Sequence, residues 1–216
     1  MKKLTVTGHT GCIQTKANSL ESIIVAARNG ANIVEFDLNF SSDGKPVLSH
    51  DAPKGGEVTL DEAFATVEKF DFLQANVDVK STAFLEKIPD LAKKHNLCGR
   101  YFYTGIFEKD IDAVKAKSPD VPYYLNIKVR KWQTKRYLGS LVKKVKTCDA
   151  VGINFHYKNA TQKLIDTFRE NGLLVSVWTV DDEAAMKKAL ALSPDNITTR
   201  YPDKLIKMLA EKINKI

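Results

Sequence analysis

Along this chain the spacing of apolar positions switches repeatedly between a period of two and a period near three and a half. Short β-branched or aromatic runs at residues 4–7, 33–40, 74–79, 100–103, 123–127, 150–154, 174–178 and 196–199 read as strands. Between them, residues 20–29, 60–70, 84–95, 109–117, 135–146, 162–171, 183–192 and 204–212 carry the helical period. Strand and helix alternate from end to end with no linker or low-complexity stretch. That predicts one domain over residues 1–216, an α/β fold closed as a (β/α)₈ TIM barrel. An open doubly wound sheet is the competing architecture, but its glycine-rich loop after the first strand is only faintly suggested by Gly8 and Gly11.

Local punctuation agrees with these boundaries. Asn18 with Glu21 three residues on has capping-box spacing and is expected to open the first helix. Gly30 and Gly172 stand where helices should end. Ser41-Ser42-Asp43-Gly44 reads as a turn that brings Pro46-Val47-Leu48 back along the second strand.

Composition narrows the class. With 44% hydrophobic and 27% charged residues the chain is an ordinary globular protein, not a disordered one. The net charge of +7 favours anionic partners. The basic residues are scattered, however, and no nucleic-acid module is visible, so nucleic acid is not an expected partner while transient contact with a membrane surface is. Lys143, Lys144 and Lys146, the densest group, read as a solvated helix face. Cys12, Cys98 and Cys148 are odd in number and lack close spacing, which argues against a disulfide framework and a zinc site. No signal-like apolar core follows the basic start at Met1-Lys2-Lys3-Leu4, so the expected location is cytoplasmic.

In a barrel the chemistry gathers at the C-terminal ends of the strands. Collecting polar residues there gives His9 after the first strand, Glu35 and Asp37 on the second, His50 and Asp51 after its return, Asp78 and Lys80 on the third, Trp178 on the seventh and Arg200 after the eighth. Positions i and i+2 of a strand share a face, so Glu35 and Asp37 point together and Asp78 and Lys80 repeat the pattern. Apolar flanks at Ile33, Val34, Phe36 and Leu38 make these carboxylates costly to bury without a cation. Three converging carboxylates suit one hard divalent cation, Mg²⁺ or Ca²⁺. Lys80 would face a substrate phosphate, and two histidines are suited to exchange protons near neutral pH.

The sequence resembles the glycerophosphodiester phosphodiesterase family nearly end to end. The residues that carry the likeness are Gly8-His9-Thr10-Gly11, Ala17-Asn18-Ser19-Leu20-Glu21, Gly30 through Leu38, Ser42 through Asp51, Asn76-Val77-Asp78-Val79-Lys80, and Trp178-Thr179-Val180-Asp181-Asp182. The resemblance implies a metal-dependent phosphodiesterase that hydrolyses a small glycerophosphodiester to glycerol 3-phosphate and an alcohol. It implies Glu35, Asp37 and Asp78 as metal ligands and His9 and His50 as the acid–base pair. Lys80 and Trp178 would bind substrate. The alternatives are a lysophospholipase D or sphingomyelinase D-like enzyme, and a weakened barrel that only binds phosphate or phospholipid.

Four departures bear on this. Thr10 replaces the family arginine after the first histidine, Ala17 replaces a glutamate, and Asp78 replaces the usual glutamate. The segment between His50 and Thr59 is too short for the family's usual inserted subdomain, which predicts an open pocket. Arg200, after the last strand, is expected to lie beside Thr10 and supply the missing guanidinium to phosphate. Tyr103, Asn154, His156 and Tyr157 are candidates for shaping the opposite wall.

Overall fold

The computed structural model describes residues 4–213; the basic start at Met1–Lys3 lies outside them. Nine strands form one sheet: β1 (Thr5–Gly8), β2 (Ile33–Phe40), β3 (Pro46–Leu48), β4 (Gln74–Val79), β5 (Tyr101–Ile106), β6 (Tyr123–Asn126), β7 (Gly152–His156), β8 (Leu174–Trp178) and β9 (Asn196–Thr199). Their order is β1-β9-β8-β7-β6-β5-β4-β2-β3, and β1 also pairs with β2. That last pairing, Thr7 with Ile33 and Gly8 with Val34, closes eight parallel strands into a barrel and rules out the open sheet. β3 lies antiparallel on β2 as the short return after the turn.

Eight helices follow the strands: α1 (Leu20–Arg28), α2 (Leu60–Glu68), α3 (Ile88–Lys94), α4 (Ile111–Lys117), α5 (Lys135–Thr147), α6 (Gln162–Glu170), α7 (Glu183–Leu192) and α8 (Pro202–Ile213). None is long and apolar enough to cross a membrane among the described residues. Boundaries shift from the sequence reading for identifiable reasons. Pro89 in the first turn starts α3 at Ile88, after a 3₁₀ turn over Leu85–Lys87. The fifth strand runs past Tyr103 to Ile106, because Gly105, at φ +75°, bulges the strand instead of ending it. The cap of α1 is Ser19, whose hydroxyl accepts from the Ser22 N–H, and not Asn18.

Alternation along the strands sorts the side chains. Val34, Phe36 and Leu38 of β2, Ala75, Val77 and Val79 of β4, and Tyr101 and Tyr103 of β5 are buried in the layer between barrel and helices, where Phe36 meets Phe64 edge-on. The intervening residues, Thr7, Glu35, Asn76, Thr104, Asn154, Ser176, Asn196 and Thr198, are buried and polar. The apolar core is therefore a shell around a polar lumen. At its centre the Asn196 Oδ1 accepts from the hydroxyls of Thr5 and Thr7, while its Nδ2 donates to the Ser176 hydroxyl. This network ties three neighbouring strands across the seam and satisfies groups that would otherwise be buried unpaired.

Candidate active site

The parallel register brings the acidic residues together. In β2 and β4, Glu35 lies opposite Asn76 and Asp37 opposite Asp78. One carboxylate oxygen from each of Glu35, Asp37 and Asp78 lies within 4.8 Å of the others. The Lys80 ammonium pairs with Asp37 at 2.9 Å and closely with Asp78. Lys80, expected to face substrate, lines the cavity and there bridges two carboxylates whose charges would repel if left alone. Burial works to lower the Lys80 pKa, but Asp78 and Asp37 outweigh it and raise it well above the ordinary lysine range. Glu35 is pushed the other way from its charged form: burial first, then repulsion by Asp37 and Asp78, holds its carboxyl well above the usual range. Three hard oxygen donors, one of them strained by burial and like charge, are a donor set that fits a divalent cation.

Thr10 and Asn18 hold these carboxylates in place. The Thr10 backbone N–H donates to the Glu35 Oε2 at 2.9 Å. Asn18 grips Asp37 twice: its Nδ2 donates to Oδ2 at 2.9 Å, and its Oδ1 accepts from the Asp37 backbone N–H at 3.0 Å. It does so from a left-handed backbone, φ +55°, which asparagine tolerates, and its own N–H donates to the Thr10 hydroxyl at 2.6 Å. Thr10 is thus buried in the support of the carboxylates, and Asn18 is a site residue that sequence reading took for a helix cap. Spacing alone suggested the cap, and only the fold carries residue 18 over the end of β2.

The two histidines occupy different surroundings. His9 is only 22% exposed and His50 is 68% exposed. The His9 Nδ1 lies 2.8 Å from the Thr10 carbonyl, which accepts only, so the neutral ring carries its proton on Nδ1 and its lone pair on Nε2. Burial, with a smaller effect of the Arg200 charge, lowers the His9 pKa. His50 Nδ1 lies 2.9 Å from the Asp51 carboxylate. Both histidines line one cavity of about 420 Å³ at the C-terminal end of the barrel, together with Glu35, Asp37, Asp78 and Lys80.

Trp178 and Arg200 line the same cavity. The Trp178 indole N–H and the Asn154 Oδ1 are buried there without a partner among the described residues. The orientation of Asn154 follows from its neighbours: Asn126 Oδ1 accepts from the Gly105 N–H, so Asn154 must present its Nδ2 to that same oxygen and leave its own oxygen free. Arg200 lies beside the loop after β1, where its carbonyl accepts from the Ile13 N–H. Its guanidinium is held by Asp181 at 2.8 Å, a partner the sequence reading did not assign. Tyr103 is not in the cavity wall, because its side chain turns outward and its hydroxyl donates to the Ser118 hydroxyl at 3.3 Å. His156 stacks on Tyr157 and meets Trp178 edge-on, so these two support the wall from behind. Gly105 admits the carboxylates: a Cβ there would lie 2.5 Å from the Val79 carbonyl and 2.9 Å from the Asp78 Oδ1.

Comparison with known proteins places the fold and the family. Over 97% of this chain and 98% of its own length, a glycerophosphodiester phosphodiesterase of Caldanaerobacter subterraneus subsp. tengcongensis is 24% identical. The crystal structure of a glycerophosphodiester phosphodiesterase assigned in Galdieria sulphuraria superposes with a TM-score of 0.78 at 23% identity, covering 96% of this chain and 98% of that one. A phosphodiesterase of Oleispira antarctica, solved in complex with the product sn-glycerol-3-phosphate, superposes with a TM-score of 0.76 at 18% identity over 95% and 96% of the two chains. The model of the glycerophosphoryl diester phosphodiesterase family matches residues 8–69 and 68–204, nearly the whole barrel. This chain belongs to the glycerophosphoryl diester phosphodiesterase family.

Proposed function

We propose that the protein hydrolyses glycerophosphodiesters to glycerol 3-phosphate and a free alcohol in the cavity at the C-terminal end of the barrel. The observation that carries this reading is the convergence of Glu35, Asp37 and Asp78 beside two histidines in one cavity. A barrel that only bound phosphate would have no evident use for two histidines next to an acidic cluster. The relative from Oleispira antarctica, which holds glycerol 3-phosphate in the same fold, supports the product assignment.

In this reading Glu35, Asp37 and Asp78 hold one Mg²⁺ or Ca²⁺ ion. When bound, the ion supplies acidity to the attacking hydroxyl and offsets charge on the phosphate oxygens. The substrate's own glycerol hydroxyl attacks phosphorus, a new P–O bond forms, and the P–O bond to the alcohol breaks. His9 takes the hydroxyl proton on Nε2, and the more exposed His50 gives a proton to the departing alcohol. Water then opens the cyclic phosphate with the two roles reversed. Lys80 and Arg200 face the phosphate, Arg200 aimed by Asp181, and the free Trp178 N–H and Asn154 oxygen meet the glycerol end.

Purified protein incubated with glycerophosphocholine and glycerophosphoethanolamine is expected to release glycerol 3-phosphate with Mg²⁺ or Ca²⁺ present. Release should stop with chelator and fall by at least about a hundredfold in His9→Ala, the scale of general acid–base catalysis. Turnover that survives both chelation and His9→Ala would rule this mechanism out. Tight divalent binding without turnover of either diester would instead assign the barrel a binding role.

A further inference from the structure

The segment between Asp120 and Asp149 has no acidic residue, and it carries eight of the chain's basic ones. Outside it, 25 basic residues face 26 acidic ones, so the whole net positive charge of the protein resides in this one stretch. Five of the eight, Lys128, Arg130, Lys131, Lys135 and Arg136, are exposed in the loop after β6 and the first turn of α5. None of these five forms an ion pair among the described residues. The first turn of α5 contains no acidic residue, although the helix dipole favours anions there and disfavours Lys135 and Arg136. Neither folding nor the proposed chemistry explains that arrangement.

Trp132 sits in the middle of this loop and is 82% exposed. It is presented by an anchored backbone. Val129 is buried, the Tyr137 hydroxyl accepts from the Arg130 N–H, the Asn159 Nδ2 donates to the Val129 carbonyl, and the Gln133 Nε2 donates to the Asn159 carbonyl. The loop follows a barrel strand, so it lies at the same end as the cavity. The two preceding strand-end loops add Phe107, which is exposed and lines the cavity, and Phe84, which is partly exposed. Together these make a rim of three aromatics on consecutive loops, next to a cluster of unpaired cations.

From this we infer that the rim formed by Trp132, Phe107 and Phe84, with the cations after β6, docks the mouth of the cavity on an anionic phospholipid bilayer. Cations meet anionic headgroups and the amphipathic indole settles at the headgroup level. The charge selects an anionic surface. A single projecting indole on a fixed loop fits a bilayer better than a nucleic acid, which would need a track of stacking rings. Resting on the phosphodiesterase reading, the inference makes diesters carried in or on a membrane the natural substrate class.

The test is sedimentation of the 216-residue chain with phosphatidylcholine vesicles, with and without phosphatidylglycerol. Wild type is expected to bind the anionic vesicles and to release them as salt is raised. Each cation removed should weaken partition by roughly fivefold, so Lys128→Gln with Arg130→Gln and Lys131→Gln should lose about a hundredfold. Trp132→Ala should also weaken it, whereas Phe72→Ala, at an exposed phenylalanine on the opposite end of the barrel, should not. In wild type, lipids brominated along their tails should quench tryptophan emission, a readout that needs no variant to fold. Turnover of soluble glycerophosphocholine should be unchanged in Trp132→Ala, which separates loss of docking from loss of the enzymatic reading. Binding that is indifferent to phosphatidylglycerol, to the three glutamines or to Trp132, or absence of quenching, would overturn the inference. So would single-stranded RNA held by this loop in place of vesicles.

Discussion

At the scale of single residues, the acidic cluster depends on a side chain outside the cavity lining. Asn18 satisfies both the carboxylate and the backbone N–H of Asp37, and removing it would leave each with one partner fewer in a low-dielectric lumen. Partners of this outer kind typically alter metal affinity or activity by about 10–100-fold when removed. Asn18→Ala is therefore expected to weaken divalent binding to that degree in calorimetric titration while the fold persists. Unchanged affinity would remove Asn18 from the site. Gly105 offers a steric counterpart. Gly105→Ala forces a side chain into the left-handed region and against the Asp78 carboxylate, so it should lower both stability and divalent affinity. The sequence displayed both residues plainly, but neither could be assigned. Asn18 carried the spacing of a cap, Gly105 carried no local signal, and their actual partners lie on other strands.

At the scale of elements, helix placement rests on local signals, and these can be tested one at a time. Thr59 opens α2 with a full capping box: its hydroxyl accepts from the Glu62 N–H, and the Glu62 carboxylate accepts from the Thr59 N–H. Thr59→Ala should cost about 1 kcal/mol in denaturant unfolding, against a negligible effect if the helix end frays in any case. α2 is linked to the end of α3 by charge. Asp61 is held below the usual carboxylate range by hydrogen bonds from Lys94 and then His95, and Glu68 by Asn96 and then His95. Because the folded state depresses both, their contribution is present above the ordinary carboxylate pKa and is lost as pH falls through the lowered folded values. Stability should therefore decline below about pH 4, and Asp61→Asn should flatten that decline. Both groups are largely solvated, so the effect is small; a steeper acid limb in the variant would contradict the assignment.

At the scale of the whole molecule, barrel closure is the decisive event. β1 completes the sheet by pairing with β9 on one side and β2 on the other, and Asn196 stitches the β1, β9 and β8 seam through three hydroxyls. Asn196→Ala would leave the buried Thr7 hydroxyl without its acceptor, whereas the Thr5 hydroxyl keeps the Asp195 carbonyl at 3.0 Å. An unmade buried hydrogen bond costs roughly 1–3 kcal/mol. The variant should unfold at clearly lower denaturant than wild type, and an unchanged midpoint would show that the Thr7 hydroxyl finds another partner. The cavity, the acidic cluster and the docking rim share one end of this closed barrel, so chemistry and surface contact share one axis.

Residue order by itself determined the strand–helix alternation, because a two-residue or three-and-a-half-residue period is a property of neighbouring positions and is read without any long-range contact. It also determined which candidate side chains point together, because Glu35 with Asp37 and Asp78 with Lys80 share a face by strand geometry alone. Tertiary structure alone decided what those side chains touch. The pairing of β2 with β4 in register sets Asp37 against Asp78 and draws Lys80 between them. The β1 loop lays Asn18 over Asp37, the glycine bulge in β5 opens room for a carboxylate, and Asp181 turns Arg200. It also decided that the lumen is polar, since which face of a strand looks inward is fixed only when the sheet closes. Local periodicity encodes elements; partners across the barrel depend on register and closure, which no short window of sequence contains.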